Sequence, residues 1–177
     1  MSTPTKIGLY VDMDGVVADF HAGASEFFQM NARKEQDKFT AILESPAGWS
    51  RLKREWPTFW SDLPLMPHAL DLWSVLQPYH PSMLTAIPPS WPSAGTGKTI
   101  WVKRNLPKFG YHPTQRVHAV QRHEKVKFAQ QPDGTPNVLI DDFGKNIREW
   151  QAAGGIGIKY EDSASAANHV KTILKSL

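Results

Sequence analysis

The segment Lys6-Ile-Gly-Leu-Tyr-Val-Asp12-Met-Asp14-Gly15-Val-Val-Ala-Asp19-Phe20 constrains this chain more than any other. Ile7 to Val11 are mostly apolar, over a length that suits a short buried strand. Two carboxylates follow, two positions apart, where a glycine lets the chain turn. Side chains at i and i+2 of an extended backbone share a face, so Asp12 and Asp14 can converge on one point. Carboxylates that close repel each other, and a cation between them relieves the repulsion. The pair marks a site rather than a fold element.

Similar short strands recur along the chain. Ser82-Met-Leu-Thr85-Ala86 is cut off by Pro88 and Pro89; Val117-His-Ala-Val120 is a third. Asn137-Val-Leu-Ile140 ends in Asp141-Asp142, and Ile156-Gly-Ile158 is the last. Between them, helical patterns are expected at 20–30, 33–43, 68–76, 97–106, 146–153 and 163–174. A short helical turn is expected at 124–129. Gly154-Gly155 serves as a helix stop, and Ser163 is the candidate cap of the last helix. Strands alternating with helices predict an α/β fold, a parallel sheet covered on both faces. Ligands of such sheets bind beyond the carboxyl ends of the strands. Asp12, Thr85 and Asp141 each sit at such an end.

At 177 residues the chain fits one domain with a small inserted cap. From Ser45 to Pro67 the composition shifts, and Trp49, Trp56, Phe59 and Trp60 crowd among prolines and bases. The absence of cysteine excludes disulfides, thiolate zinc sites and a cysteine nucleophile. The start MSTPTK lacks a signal-peptide core and no apolar run has membrane-spanning length, so a cytoplasmic protein is expected. Net charge is +3, yet eight bases fall between Lys98 and Lys127 (Lys98, Lys103, Arg104, Lys108, Arg116, Arg122, Lys125, Lys127) against one acid, Glu124. That balance favours an anionic ligand, phosphate first, while most of these bases are expected on solvated helix faces. No recognition-helix, zinc or RNA-binding signature argues for nucleic acid.

Asp12-Met-Asp14-Gly15-Val16, Thr85 after an apolar strand, a later lysine and Asp141-Asp142 together resemble the four motifs of the haloacid dehalogenase superfamily of phosphotransferases. The closer resemblance is to its 5'(3')-deoxyribonucleotidase branch, through Asp12–Phe20, Phe59-Trp60 before Leu63-Pro64, and Leu139-Ile-Asp-Asp142. The fold that this implies is a Rossmann-like core from 1–20 and 67–177 with a small helical cap at 21–66.

The activity implied is magnesium-dependent hydrolysis of a nucleoside monophosphate, a small-molecule phosphomonoester. Asp12 would be the nucleophile that forms an aspartyl-phosphate, and Asp14 the proton carrier. Mg2+ would be held by Asp12, the backbone carbonyl of Asp14 and Asp141, with Asp142 orienting the water around it. Thr85 and the amide of Ala86 would bind phosphate. The pattern Lys125-Val-Lys127-Phe-Ala129 offers two lysines for the phosphate, of which Lys125 is the one expected to reach it. One departure from the branch is Ala86 after Thr85, where a second hydroxyl is common.

Phe20 fits two roles, a core aromatic or a platform for a nucleobase. Phe59 and Trp60 are expected in the cap over the site, with Trp49 and Trp56 in the cap core and Asp19 an ordinary polar residue of the first helix. Gly95-Thr-Gly97-Lys98-Thr99 imitates a P-loop, but position 92 is proline where glycine is needed. Lys98 instead opens a helix whose N-terminus faces the phosphate. Asp142-Phe143-Gly144 imitates a kinase motif in a chain too short for a kinase. Other phosphomonoesters, a nucleic-acid terminus and a non-catalytic binding module are the alternatives, and a homodimer stays open.

Overall fold

The computed structural model describes residues 7–175; Lys6 and the rest of MSTPTK lie outside the described residues. Five strands form one sheet: β1 (Leu9–Val11), β2 (Ser82–Ala86), β3 (Val117–Val120), β4 (Val138–Asp141) and β5 (Ile156–Lys159). Their order is β3-β2-β1-β4-β5, and every pairing is parallel. β4 is buried throughout and β2 nearly so, which is why both read as continuous apolar runs. From β1 the chain winds outward through β2 and β3, then returns to β4 on the other side. That reversal beside β1 opens a crevice at the carboxyl edge.

The insertion after β1 carries four helices: α1 (Phe20–Phe28), α2 (Gln36–Glu44), α3 (Pro46–Glu55) and α4 (Phe59–Asp62). Asp19 caps α1 by accepting from the Ala22 amide at 2.9 Å, and Arg33 pairs with the same carboxylate at 2.6 Å. Asn31 to Glu35 form a turn in which Lys34 N donates to Asn31 Oδ1, so α2 begins at Gln36, later than expected. Ser45 caps α3, with Pro46 in its first turn. The two crossings between sheet and insertion run side by side. Asp19 N donates to Pro64 O, and Met66 N to Val17 O, each at 2.8 Å.

The remaining helices are α5 (Ala69–Leu76), α6 (Ala94–Asn105), α7 (Gly144–Ala152) and α8 (Ser163–Lys175), with 3₁₀ segments at Gln77–Tyr79 and Arg122–Phe128. α6 starts three residues before the expected Gly97, because the turn at Trp91 already aligns Ala94 N with Trp91 O. Ser163 is not the cap of α8. Asp162 Oδ1 accepts from Ser165 N at 2.8 Å, while Ser163 Oγ donates to His68 O. Trp73, Trp101 and Trp150 are fully buried, and each indole N–H finds a carbonyl: Pro107, Leu63 and Asn137 respectively. The Trp101 bond to Leu63 ties α6 to the end of the insertion. Among the described residues no helix is long and apolar enough to cross a membrane.

Candidate active site

Asp12 N donates to Ile140 O at 2.9 Å, which sets the end of β1 level with the end of β4. Asp12 and Asp141 therefore face each other across the crevice, and Asp141 has no exposed surface. Its Oδ1 accepts from the Phe143 amide at 2.8 Å, and its Oδ2 from Lys125 Nζ at 2.7 Å and Asn146 Nδ2 at 2.9 Å. Lys125 is 2% exposed, and its ammonium also lies 2.9 Å from Asp12 Oδ1. Lys127 is on the surface, paired with Glu124. Of the two lysines, only Lys125 stands among the carboxylates.

Gly15 has φ of +75°, and a Cβ there would collide with the Asp142 carboxylate. Glycine thus serves both the turn and the close approach of Asp142. Asp12, Asp141 and Asp142 each bring a carboxylate oxygen within 4.8 Å of the other two. Asp142 thus brings its carboxylate to the same cluster.

The electrostatics are those of crowded carboxylates. Burial, reinforced by Asp12, pushes Asp141 up to about 6 despite Lys125. Burial and the charges of Asp12, Asp141 and Asp14 push Asp142 up to about 7. Burial opposes the charge of Lys125, yet Asp12 and Asp141 outweigh it and raise its pKa. Asp14 Oδ1 is buried without a hydrogen-bond partner, and Asp12 Oδ1 has the Lys125 ammonium alone, so both keep acceptor capacity unused. An all-oxygen donor set with excess negative charge and unsatisfied acceptors fits a hard divalent cation such as magnesium.

Asp14 meets a residue that the charge pattern did not single out as a ligand-binding side chain. Lys98, on α6, has no exposed surface, lies on the Asp14 carboxylate and donates to Thr85 Oγ1 at 2.9 Å. Its ammonium also stands 4.3 Å from the centre of the Trp60 ring. The signal was present in the spacing: Ala94, Lys98, Trp101 and Val102 form the buried face of α6, so Lys98 occupies an apolar position. Burial raises Asp14 above the usual carboxylate range, against the pull of Lys98.

A cavity of about 320 Å³ opens beside this pair. Asp14, Ala86 and Arg122 line one part, and Phe20, Trp49, Trp60, Ile87, Pro88 and Pro89 the rest with Leu43. The rings of Phe20 and Trp60 are nearly parallel, 5.6 Å apart at 10°, and Trp49 lies 5.9 Å from Trp60 at 24°. Trp49, expected in the cap core, is on the cavity wall. Phe59 is the converse correction: it is fully buried, edge-on to Phe20, and does not line the cavity. Adjacent helical residues point about 100° apart, so Phe59 and Trp60 cannot share one surface. Arg122 is held by Glu149 at 2.7 Å and Asn146 Oδ1 at 3.1 Å, which links the cavity to Asp141 through Asn146.

This sheet order and its parallel pairing make a Rossmann-like α/β fold of the haloacid dehalogenase type, with an acidic crevice at the carboxyl edge. Among solved structures the chain is similar to a protein described as a haloacid dehalogenase-like hydrolase from Burkholderia xenovorans LB400. The two share 15% identity and a TM-score of 0.51 over 92% of this chain and 85% of that one. A second similar structure, a magnesium complex of a HAD-family enzyme from Bacteroides thetaiotaomicron, has 18% identity and a TM-score of 0.47, covering 88% of this chain and 94% of that one. No family model matches the sequence, and no curated protein matches it.

Proposed function

We propose that this protein is a magnesium-dependent phosphomonoester hydrolase acting on nucleoside monophosphates, of the 5'(3')-deoxyribonucleotidase kind. One observation carries the reading: Asp12 and Asp14 are each faced by a buried lysine, and Asp14 lines a cavity walled by near-parallel aromatic rings. The fold supports a hydrolase of this class.

Asp12 attacks phosphorus in line, forming a carboxyl–phosphorus bond as the ester bond breaks. Asp14 gives its proton to the departing oxygen. It then takes a proton from the water that attacks the aspartyl-phosphate, releasing inorganic phosphate and restoring Asp12. The raised pKa of Asp14 suits the first of these duties. Lys125 neutralises Asp12 and the phosphate beside it, and Thr85 with the Ala86 amide holds a phosphate oxygen. Asp12, Asp141, Asp142 and the Asp14 carbonyl would hold a magnesium ion, which would supply charge neutralisation at the phosphoryl group.

Phe20, Trp49 and Trp60 take the base, and residues 21–66 act as the cap that excludes water over the sheet-bearing core. A cysteine-free chain of this chemistry suits the cytoplasm.

A hydrolysis screen over deoxynucleoside monophosphates, sugar phosphates and a simple aryl phosphate, with magnesium or with chelator, tests the function. Magnesium-dependent phosphate release with the highest kcat/KM on nucleotides is expected. Preference for a sugar phosphate, or full turnover in chelator, overturns it.

A further inference from the structure

Trp49 is a wall common to two cavities. One is the aromatic cavity beside Asp14; the other, of about 350 Å³, is lined by Trp49, Ser50, Lys53, Arg54 and Ser90. They run along one another, since Pro88 and Pro89 line the first and Ser90 the second. Their chemistry differs. Two cations and two hydroxyls line the second, and no carboxylate does. Trp49, Ser50, Lys53 and Arg54 come from one face of α3, at i, i+1, i+4 and i+5. Arg54 also touches Glu55 at 2.7 Å, while Lys53 makes no ion pair among the described residues. Bases in the last turn of a helix complement its dipole. That explains their position along α3, but not the hydroxyl of Ser90 meeting them from a separate loop.

We propose that this second cavity is a subsite for a further phosphate on the same nucleotide, an inference that rests on the nucleotide reading above. With the reacting phosphate at Asp12 and the nucleoside against Phe20 and Trp49, a second phosphate passes the edge of Trp49. There it meets Lys53, Arg54 and the two serines. A nucleoside 3',5'-bisphosphate presents such a group, as does the diester of a 5'-phosphorylated dinucleotide. A monophosphate does not.

Steady-state kinetics on the monophosphate, the bisphosphate, the phosphorylated dinucleotide and an aryl phosphate test this, with the wild type and a Lys53→Glu/Arg54→Glu variant. KM for the bisphosphate is expected about tenfold below that for the monophosphate at low salt, as befits one or two charge-assisted contacts. The ratio of the two KM values should collapse towards one in the variant, and in the wild type at roughly 0.5 M salt. An equal gain with the dinucleotide assigns the subsite to the diester as well; a gain with the bisphosphate alone assigns it to a terminal phosphate. Calorimetric binding of the bisphosphate and monophosphate to Asp12→Asn protein reads the same preference without turnover. Equal KM values in the wild type, or a preference that survives charge reversal, overturns the subsite. Turnover of the aryl phosphate with none of any nucleotide overturns the nucleotide reading instead, and the subsite with it.

Discussion

The ammonium of Lys98 lies against the carboxylate of Asp14, 84 residues away in the chain, with no part of the lysine exposed. The same ammonium donates to Thr85, so one cation fixes both the proposed proton carrier and the hydroxyl proposed to bind phosphate. Lys98→Met keeps the volume and removes the charge. It should destabilise the protein by roughly 2 kcal/mol, below the range for a fully buried pair because 26% of the Asp14 side chain is exposed. Adding Asp14→Asn should return part of that loss. Thermal unfolding of the two variants checks this; a double variant no more stable than Lys98→Met would refute the pairing.

The carboxylate cluster predicts an inverted pH dependence of stability. Folded Asp142 and Asp141 keep protons up to about 7 and about 6, whereas the unfolded chain releases them near 4. Between those values the folded state binds more protons, so stability falls as pH rises through the window. In chelator the melting temperature should therefore drop from pH 5 towards pH 8, roughly levelling once both groups are ionised. Added magnesium should raise it more at pH 8 than at pH 5, because protons compete for the same oxygens. A magnesium effect independent of pH would contradict the assigned ligands.

Stacking at Phe20 should separate base recognition from packing. Phe20→Ala should raise KM for deoxynucleotides about tenfold, within the range for losing one base–aromatic contact, and shift KM for an aryl phosphate far less. Equal shifts on both substrates would make Phe20 a packing residue, in line with its contacts to Phe39 and Phe59.

Lys125 and Lys127 are two residues apart and should behave oppositely. Lys125→Ala leaves Asp12 and Asp141 facing each other without their shared cation, and activity should fall by at least about 100-fold. Lys127 is 66% exposed in its side chain, and its alanine variant should stay within about twofold of wild type. Comparable losses from both would contradict the assignment of Lys125 alone to the site.

Much of this was legible in the sequence because short apolar strands have sharp ends. β1, β2 and β4 fall within a residue of where their apolar runs stop, which put Asp12, Thr85 and Asp141 on one edge. Lys98 was not legible by charge, since a lysine in a basic segment is ordinarily solvated; only its place on the apolar face of α6 betrays it. Phe59 and Trp60 were paired by adjacency, while helical geometry sends one to the core and the other to the cavity. α3 was hidden because Pro46, Gly48 and the tryptophans mask its periodicity, and with it went the position of Trp49 on the cavity wall. Asn146, which braces Asp141, gave no signal, being a polar residue inside an ordinary helix.

In the proposed reaction Asp12 becomes phosphorylated. Acid quenching during magnesium-supported turnover of a labelled phosphomonoester, followed by peptide mapping, tests it most directly. The label should sit on Asp12, turn over on the timescale of kcat and vanish in Asp12→Asn together with phosphate release. Label on no carboxylate, or an Asp12→Asn variant with undiminished turnover, would contradict the account.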